Sequence, residues 1–229
     1  MKLSIVMPVY NEESTLVEIV ERVQATIYDK ELILVDDCSS DDSKRIMGQL
    51  EERYDNLRCF YHSENLGKGG ALRTGFSQVR GDIVLIQDAD LEYDPSDYPA
   101  LLKPFEDGVA DVVFGSRFLG GRYVRVHMFW HYVGNRALTL LSNCFTNLNL
   151  TDMETCYKVF RREFADRLDL RSLTFAVEPE ITAKVARMHA RVYEVPISYA
   201  GRDYSEGKKI GPKDAVIALF AIVRWTLFK

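Results

Sequence analysis

The chain lacks the features that mark several large protein classes, and each absence excludes something. Its four cysteines (Cys38, Cys59, Cys144 and Cys156) are scattered with no CxxC and no metal-ligand spacing. A disulfide framework is therefore not expected, and reduced thiols in a cytoplasmic setting are. No stretch reaches the roughly 18 uncharged apolar residues that a spanning helix needs. The opening run Met1–Pro8 is too short to be expected as a signal peptide, so nothing here is expected to be integral to a membrane. Basic residues are not in excess: 29 Lys and Arg stand against 34 Asp and Glu, a formal net charge of −5. That balance argues against a duplex-binding protein with a broad basic face, and no nucleic-acid partner is expected. Internal repeats and low-complexity linkers are also missing. With 229 residues, 47% hydrophobic and 28% charged, the chain can bury a substantial core as one domain with a C-terminal elaboration.

What is present is an alternation of strand-like and helix-like segments. Residues 3–9 read as a β-branched buried strand. A helix follows to about Tyr28, with Leu16, Ile19, Val20, Val23 and Ile27 at helical spacing. Strands are expected at 31–35, 57–61 and 82–87, with helices near 43–54 and 70–80 between them. Four such repeats imply parallel pairing in a doubly wound α/β sheet, whose ligands sit at the carboxyl ends of the strands. Beyond them the pattern predicts helices at about 96–107, 127–149, 178–190 and 213–228, strands at 111–117 and 191–199, and a short strand and helix over 159–168. A mobile basic loop is expected over 201–209.

The most informative stretch is Val84-Leu-Ile-Gln-Asp88-Ala89-Asp90-Leu-Glu92. An apolar strand stops at two acids spaced i and i+2, which lie on one face of extended backbone. Two converging carboxylates repel unless a cation sits between them. Oxygen ligands suit Mg2+ or Mn2+, which complete their shells with substrate phosphates. An acidic solvated turn is the bland alternative, but Pro8–Glu12 and Asp36–Asp42 fall at the ends of neighbouring strands and converge on the same crevice.

Other motifs admit two readings each. Asn65-Leu-Gly-Lys-Gly-Gly70 resembles a phosphate loop but lacks the GKS/T ending of a Walker motif, so a structural turn is at least as good. Asp36-Asp37 either caps a helix or accepts hydrogen bonds from a nucleobase or ribose. Arg117, after a Gly-Ser turn at a strand end, lies where a bidentate fork meets anionic ligands; Arg136 is a second such cation, or an ordinary surface one. His127 and His131 lie at i and i+4 without a third ligand nearby, which favours helix packing over a metal.

The set Ile-Val-Met-Pro8-Val-Tyr10-Asn-Glu12, Leu-Val-Asp-Asp37-Cys-Ser-Ser-Asp-Asp, Asn-Leu-Gly-Lys-Gly-Gly-Ala-Leu, Gln-Asp88-Ala-Asp90-Leu-Glu92 and Gly-Ser-Arg117 resembles the inverting family 2 glycosyltransferases of GT-A fold. More narrowly it resembles the polyprenyl-phosphate hexose transferases, such as the dolichol-phosphate mannose synthases. The resemblance implies that Pro8, Tyr10, Glu12, Asp37, Asp88 and Ala89 hold a nucleotide-sugar donor. It implies that Asp88, Asp90 and Glu92 bind Mn2+ or Mg2+. Glu92 stands where the mannose synthases carry Gln. It further implies that Arg117, Arg202, Lys208 and Arg136 grip phosphates of the acceptor or donor. The family's Asp-x-Thr-Ser/Asn-Gly-Phe-Arg is replaced here by Asp152-Met-Glu154-Thr-Cys-Tyr-Lys158. On this resemblance 1–118 is the nucleotide-sugar and metal half, 119–211 the acceptor half and 212–229 an amphipathic C-terminal helix.

The expected reaction is in-line displacement at a sugar's anomeric carbon, with Asp90 and Arg117 among its catalytic residues. A lipid phosphate, with a second pKa of about 6, attacks without a general base. A hydroxyl acceptor requires one, and Glu154 and Asp152 are the candidates. Transfer to a polyprenyl phosphate on the cytoplasmic face of a membrane is the leading expectation. The apolar segments 127–149 and 213–228, with Trp225 and Arg224, are then read as peripheral membrane contacts. The alternatives are a soluble enzyme acting on a glycan hydroxyl and a non-catalytic nucleotide-sugar-binding protein. A homodimer or a membrane partner subunit is compatible with the same apolar faces.

Overall fold

The computed structural model describes residues 1–120, 125, 129–201 and 212–227. Arg122, His127, Arg202, Lys208 and Lys209 lie outside the described residues, as do the last two positions. Strands are β1 Leu3–Val9, β2 Lys30–Asp36, β3 Leu57–Tyr61, β4 Ile83–Ile86, β5 Val112–Ser116, β6 Lys158–Arg161 and β7 Val192–Pro196. Helices are α1 Leu16–Gln24, α2 Ser43–Arg53, α3 Lys68–Phe76, α4 Tyr98–Glu106, α5 Phe129–Thr146, α6 Arg162–Ala165, α7 Val177–Arg187 and α8 Pro212–Leu227.

One seven-stranded sheet runs in the order β3-β2-β1-β4-β6-β5-β7. Its pairs are parallel except those made by β6, which runs antiparallel to both β4 and β5. The sheet is thus mainly parallel with one reversed strand, as the chain returns from its long 117–157 excursion. β1, β2 and β4 are buried almost throughout, which explains why they read as continuous apolar runs rather than alternating ones. From β1 the chain winds outward through β2 to β3, then places β4 on the other flank of β1. The strand order therefore reverses between β1 and β4. In such sheets the crevice outside the carboxyl ends at this point is where ligands bind.

Two helix ends differ from the sequence expectation. α1 stops at Gln24, and Ile27 is 93% exposed beyond it. The Lys30 ammonium donates to the carbonyls of Gln24, Thr26 and Tyr28 (3.2, 2.7 and 3.3 Å). These bonds gather the carbonyl of the helix's last residue and two beyond it around one ammonium, which turns the chain away from the helix there. α3 is shorter than 70–80 and lies close on the sheet: a Cβ at Gly75 would stand 2.3 Å from Val6 Cγ1.

The apolar segments at α5 and α8 are only half used. In α5 just Thr139 and Ser142 are buried, while Phe129, Trp130, Leu140 and Phe145 are exposed. α8 packs on α7 and α5. Trp225 is buried, donates to Ser172 Oγ (3.0 Å) and lies under the Lys184 ammonium. This corrects the expectation that Trp225 marks a membrane-facing surface: its indole found an apolar seat and a hydrogen-bond partner within the protein. The outer face of α8, with Ile217 and Phe220, is exposed. Among the described residues no helix is long and apolar enough to cross a membrane.

Candidate active site

The carboxyl ends of β1 and β4 open on a cleft of about 730 Å³. Pro8, Tyr10 and Glu12 line it from the end of β1, and Asp37 from the loop after β2. Asp88, Ala89, Asp90 and Glu92 come from the loop after β4, Arg117 from the end of β5 and Glu154 from the loop before β6. Trp130 and Leu138 of α5 and Ala218 of α8 contribute to its wall. Two expected residues are not brought to the cleft. Asp152 is fully buried beneath it, and Arg136 Nη1 donates to the Thr151 carbonyl (3.4 Å).

The acidic turn is held from below by Gln87, which is fully buried. Its Oε1 accepts from the hydroxyls of Tyr98 and Tyr157 (2.8 Å each). Its amide donates to the carbonyls of Asp88 (3.0 Å) and Tyr93 (3.3 Å). With all of its groups engaged, Gln87 fixes the path of residues 88–93. Asp90 Oδ1 accepts from the Glu92 amide (3.2 Å), and Leu91 takes a left-handed conformation, φ 63°. Asp88 faces the Lys68 ammonium at 3.0 Å, and Lys68 is also 3.2 Å from Glu178. Burial alone would favour the neutral amine, but Asp88 and Glu178 hold the ammonium well above its ordinary range.

The glycine loop and Asp37 turn out to serve each other. Asp37 accepts from the amides of Leu66 (2.8 Å) and Gly67 (2.7 Å) and from His62 Nδ1 (2.7 Å). Gly67 has φ 78°, and the Gly69 amide donates to the Leu173 carbonyl (2.8 Å). These amides are spent inside the protein, so the structural-turn reading of the loop holds and the phosphate-loop reading does not. Three of the four or so lone-pair sites on Asp37 are taken, which leaves it little capacity for a nucleobase or ribose.

Arg117 and Asp152 form a fork. Arg117 Nε and Nη2 donate to the two carboxylate oxygens (2.6 and 2.7 Å), and the Arg117 amide adds a third bond (3.1 Å). The guanidinium also stacks 5.1 Å from the Tyr199 ring centre. Asp152 is therefore the counter-ion of Arg117, and of the two expected bases only Glu154 reaches the cleft. Burial, and next the nearby Glu178 charge, push the Glu154 carboxyl up from 4.5 to about 7, while Lys158 and Arg117 pull the other way. Its Oε1 is buried without a hydrogen-bond partner.

Lys68 and Glu178 were not singled out from the sequence, and Lys158 only as part of the segment that departs from the family's motif. Fully buried Lys158 pairs with Glu178 Oε2 at 2.5 Å and donates to the Thr155 carbonyl. An alternating row, Asp88–Lys68–Glu178–Lys158, thus runs back from the cleft. Only the acidic opening of α7 hinted at Glu178, and Lys68 was hidden inside a glycine motif.

The sequence model of the family described as Glycosyl transferase family 2 matches residues 4–169, well over half of the chain. The chain belongs to that family. An undecaprenyl-phosphate 4-deoxy-4-formamido-L-arabinose transferase of Photorhabdus laumondii is 30% identical over 212 residues, covering 90% of this chain and 62% of that protein. A dolichol-phosphate mannosyltransferase of Pyrococcus furiosus is 24% identical over 231 residues, covering 98% of this chain and 64% of that protein. The chain spans less than two thirds of the length of these relatives. Among solved structures, glucosyl-3-phosphoglycerate synthase of Mycobacterium tuberculosis superposes with a TM-score of 0.74 at 19% identity. The match covers 100% of this chain and 80% of that one, and identifies the shared GT-A fold.

In this family 2 glycosyl transferase the acidic loop suits an open divalent-cation site rather than a closed one. Two carboxylates, Asp88 and Asp90, share the cleft wall, and a cation, the Lys68 ammonium, already stands against one of them. Among the described residues no group of three or more His, Cys, Asp or Glu is placed to enclose an ion. Glu92 lines the same cleft but is turned to the Tyr199 hydroxyl, from which it accepts (2.7 Å), and the expected three-carboxylate cluster is not assembled among the described residues. Mg2+ and Mn2+ need no such cage where one or two carboxylates and substrate phosphates complete the shell.

Glu154 is expected to make the chain's stability depend on pH. Below 4.5 the carboxyl is protonated in both the folded and the unfolded chain. Between 4.5 and about 7 the folded chain keeps a proton that the unfolded chain has shed. Stability therefore falls as pH rises through that window and levels off above it. Glu154→Gln removes the effect. The variant is expected to match the parent near pH 4.5 and to exceed it by up to about 3 kcal/mol at pH 8, read from urea unfolding at both pH values. Equal differences at both would show that the carboxyl is not strained.

Proposed function

We propose that the chain transfers a hexose from a nucleotide sugar of GDP-mannose or UDP-glucose type to a polyprenyl phosphate, with inversion and with Mn2+ or Mg2+ as cofactor. The observation that carries this reading is the Asp88–Asp90 pair on the wall of a large cleft at the point where the strand order reverses. Two relatives are named for transfer to undecaprenyl phosphate and dolichol phosphate. The mycobacterial synthase of the same fold was crystallised with Mn2+ and UDP-glucose. Exposed Phe129 and Trp130 on α5 and Phe220 on α8 support contact with a membrane surface.

A divalent ion on Asp88 and Asp90 would neutralise the charge that grows on the departing diphosphate. The protein's own groups set the stage around it. Gln87 and its two tyrosines fix the acidic turn, and Lys68 pairs with Asp88 and orients it. Arg117, held by Asp152, is assigned to phosphate recognition, with Arg136, Arg202 and Lys208 as further candidates. A lipid phosphate, largely dianionic at neutral pH, then attacks the anomeric carbon with no base.

A second reading has its own observation. Glu154 reaches the cleft with its carboxyl pushed up to about 7, the range of a tuned general base. The acceptor would then be a hydroxyl of a glycan or glycolipid. Assays with UDP-glucose or GDP-mannose, Mn2+ and either polyprenyl phosphate or free glycans separate the two. Product is expected only with the lipid phosphate. Product with a glycan, at a rate that declines as pH falls below about 7, would replace the first reading with the second.

A further inference from the structure

The Lys68 ammonium meets both oxygens of Asp88, at 3.0 and 3.1 Å. These are the same acceptors that an ion on Asp88 would use. The pair is little screened, since the Lys68 side chain is 12% exposed and that of Asp88 20%. The backbone on either side of Lys68 is pinned. The Gly67 amide donates to Asp37 (2.7 Å) and the Gly69 amide to the Leu173 carbonyl (2.8 Å). Movement at this position is therefore left to the lysine's long side chain.

A second acceptor stands beside the first. Glu178 Oε1 lies 3.2 Å from the same nitrogen, buried and without a directed hydrogen bond. It needs no access from the cleft, because its partner is inside the protein. The other Glu178 oxygen is held by Lys158 at 2.5 Å, so this carboxylate is a fixed seat. A small shift of the ammonium from Asp88 toward Glu178 turns the loose ion pair into a hydrogen bond and bares the Asp88 oxygens to the cleft. With both acids ionised and both amines protonated, the row Asp88–Lys68–Glu178–Lys158 carries no net charge. The wall thus offers a divalent ion less negative charge than its two aspartates suggest.

We infer that Lys68 gates the divalent-ion site: its ammonium competes with the ion for Asp88, and Glu178 is the seat that receives it when the ion wins. The wall alone then holds Mn2+ weakly. The negative charge of a diphosphate makes up the difference, so ion and diphosphate enter together. This rests on the metal assignment made above and adds to it a control built from the chain's own residues.

Titration with Mn2+ alone, followed by the paramagnetic resonance of the free ion, tests this without turnover. Lys68→Met, an uncharged chain of similar length, is expected to bind Mn2+ roughly tenfold or more tightly than the parent. A merely structural lysine would give the reverse, because its loss would disorder the site. Glu178→Gln is expected to weaken Mn2+ binding severalfold, by leaving the ammonium on Asp88. In the Lys68→Met background the same change is expected to do little. Equal losses in both backgrounds would show a bare charge effect and overturn the Glu178 seat. Lys68→Met at the parent's affinity or below overturns the gate. So does a gain that survives in Lys68→Met/Asp90→Ala, since the ion then sits elsewhere. If Lys68→Met tightens Mn2+ but neither UDP nor GDP improves Mn2+ binding to the parent, the competition at Asp88 stands and the nucleotide-sugar reading falls.

Discussion

Asp90→Ala is expected to lower glycosyl transfer roughly a thousandfold while costing only a few degrees of melting temperature. The large effect follows from arithmetic at the leaving group. A divalent ion stabilises the developing diphosphate charge by several kcal/mol, and about 1.4 kcal/mol is a factor of ten in rate. With Asp88 and Asp90 at this wall and, among the described residues, no group of three acids placed to enclose an ion, removing one takes half of the protein's share of the ion. The small structural effect follows from what Asp90 does for the fold. Its Oδ1 accepts from the Glu92 amide at 3.2 Å, a bond worth about 1 kcal/mol. Gln87 and its tyrosines hold the turn independently. Initial rates at saturating donor, with a thermal melt of the same sample, check both halves.

Asp152→Ala is expected to produce the opposite profile, a loss of stability first. Asp152 is fully buried and accepts three bonds from Arg117. Its own amide donates to Glu194 (3.1 Å), as does the Thr151 amide (2.9 Å). Burial disfavours the Arg117 cation, and Asp152, helped by Tyr93 and Tyr199, holds it charged. Deleting the carboxylate leaves a buried cation without its partner, at a cost of about 3–5 kcal/mol. For a chain of this length that is a fall of roughly 6–20 °C in melting temperature. Asp152→Asn, which keeps an acceptor and the shape, is expected to lose less. A melting temperature for Asp152→Ala within about 2 °C of the parent's would mean that Arg117 finds another counter-ion.

The parts of this molecule that were legible in the sequence are those written in contiguous residues. β1, β2 and β4 are buried on both faces, so each centres on a run of apolar residues, and Asp88-Ala-Asp90 shows as the abrupt end of one. The reversal of β6 was not legible, because four residues of strand after a long excursion carry no directional signal. Ile27 fitted the helical period but lies past the point where Lys30 closes α1. Trp225 has the amphipathic character of an interfacial marker, and only the position of Ser172 and Lys184 decides that it faces inward. The charged row behind the cleft joins Lys68, Asp88, Lys158 and Glu178, residues far apart in the chain, so no local pattern announces it. Glu154 was noticed as an extra acid. Its partnerless oxygen and its proximity to Glu178 emerge only when α7 is packed against the loop before β6.

The most direct test of the metal–diphosphate site is calorimetric titration of UDP and GDP into the protein with Mn2+ and with EDTA, repeated for Asp90→Ala. If Asp88 and Asp90 hold the ion that receives the diphosphate, at least one nucleotide binds the parent in Mn2+, and that binding collapses both in EDTA and in the variant. Binding of equal strength with and without Mn2+, or in parent and variant alike, would contradict the assignment of the cleft.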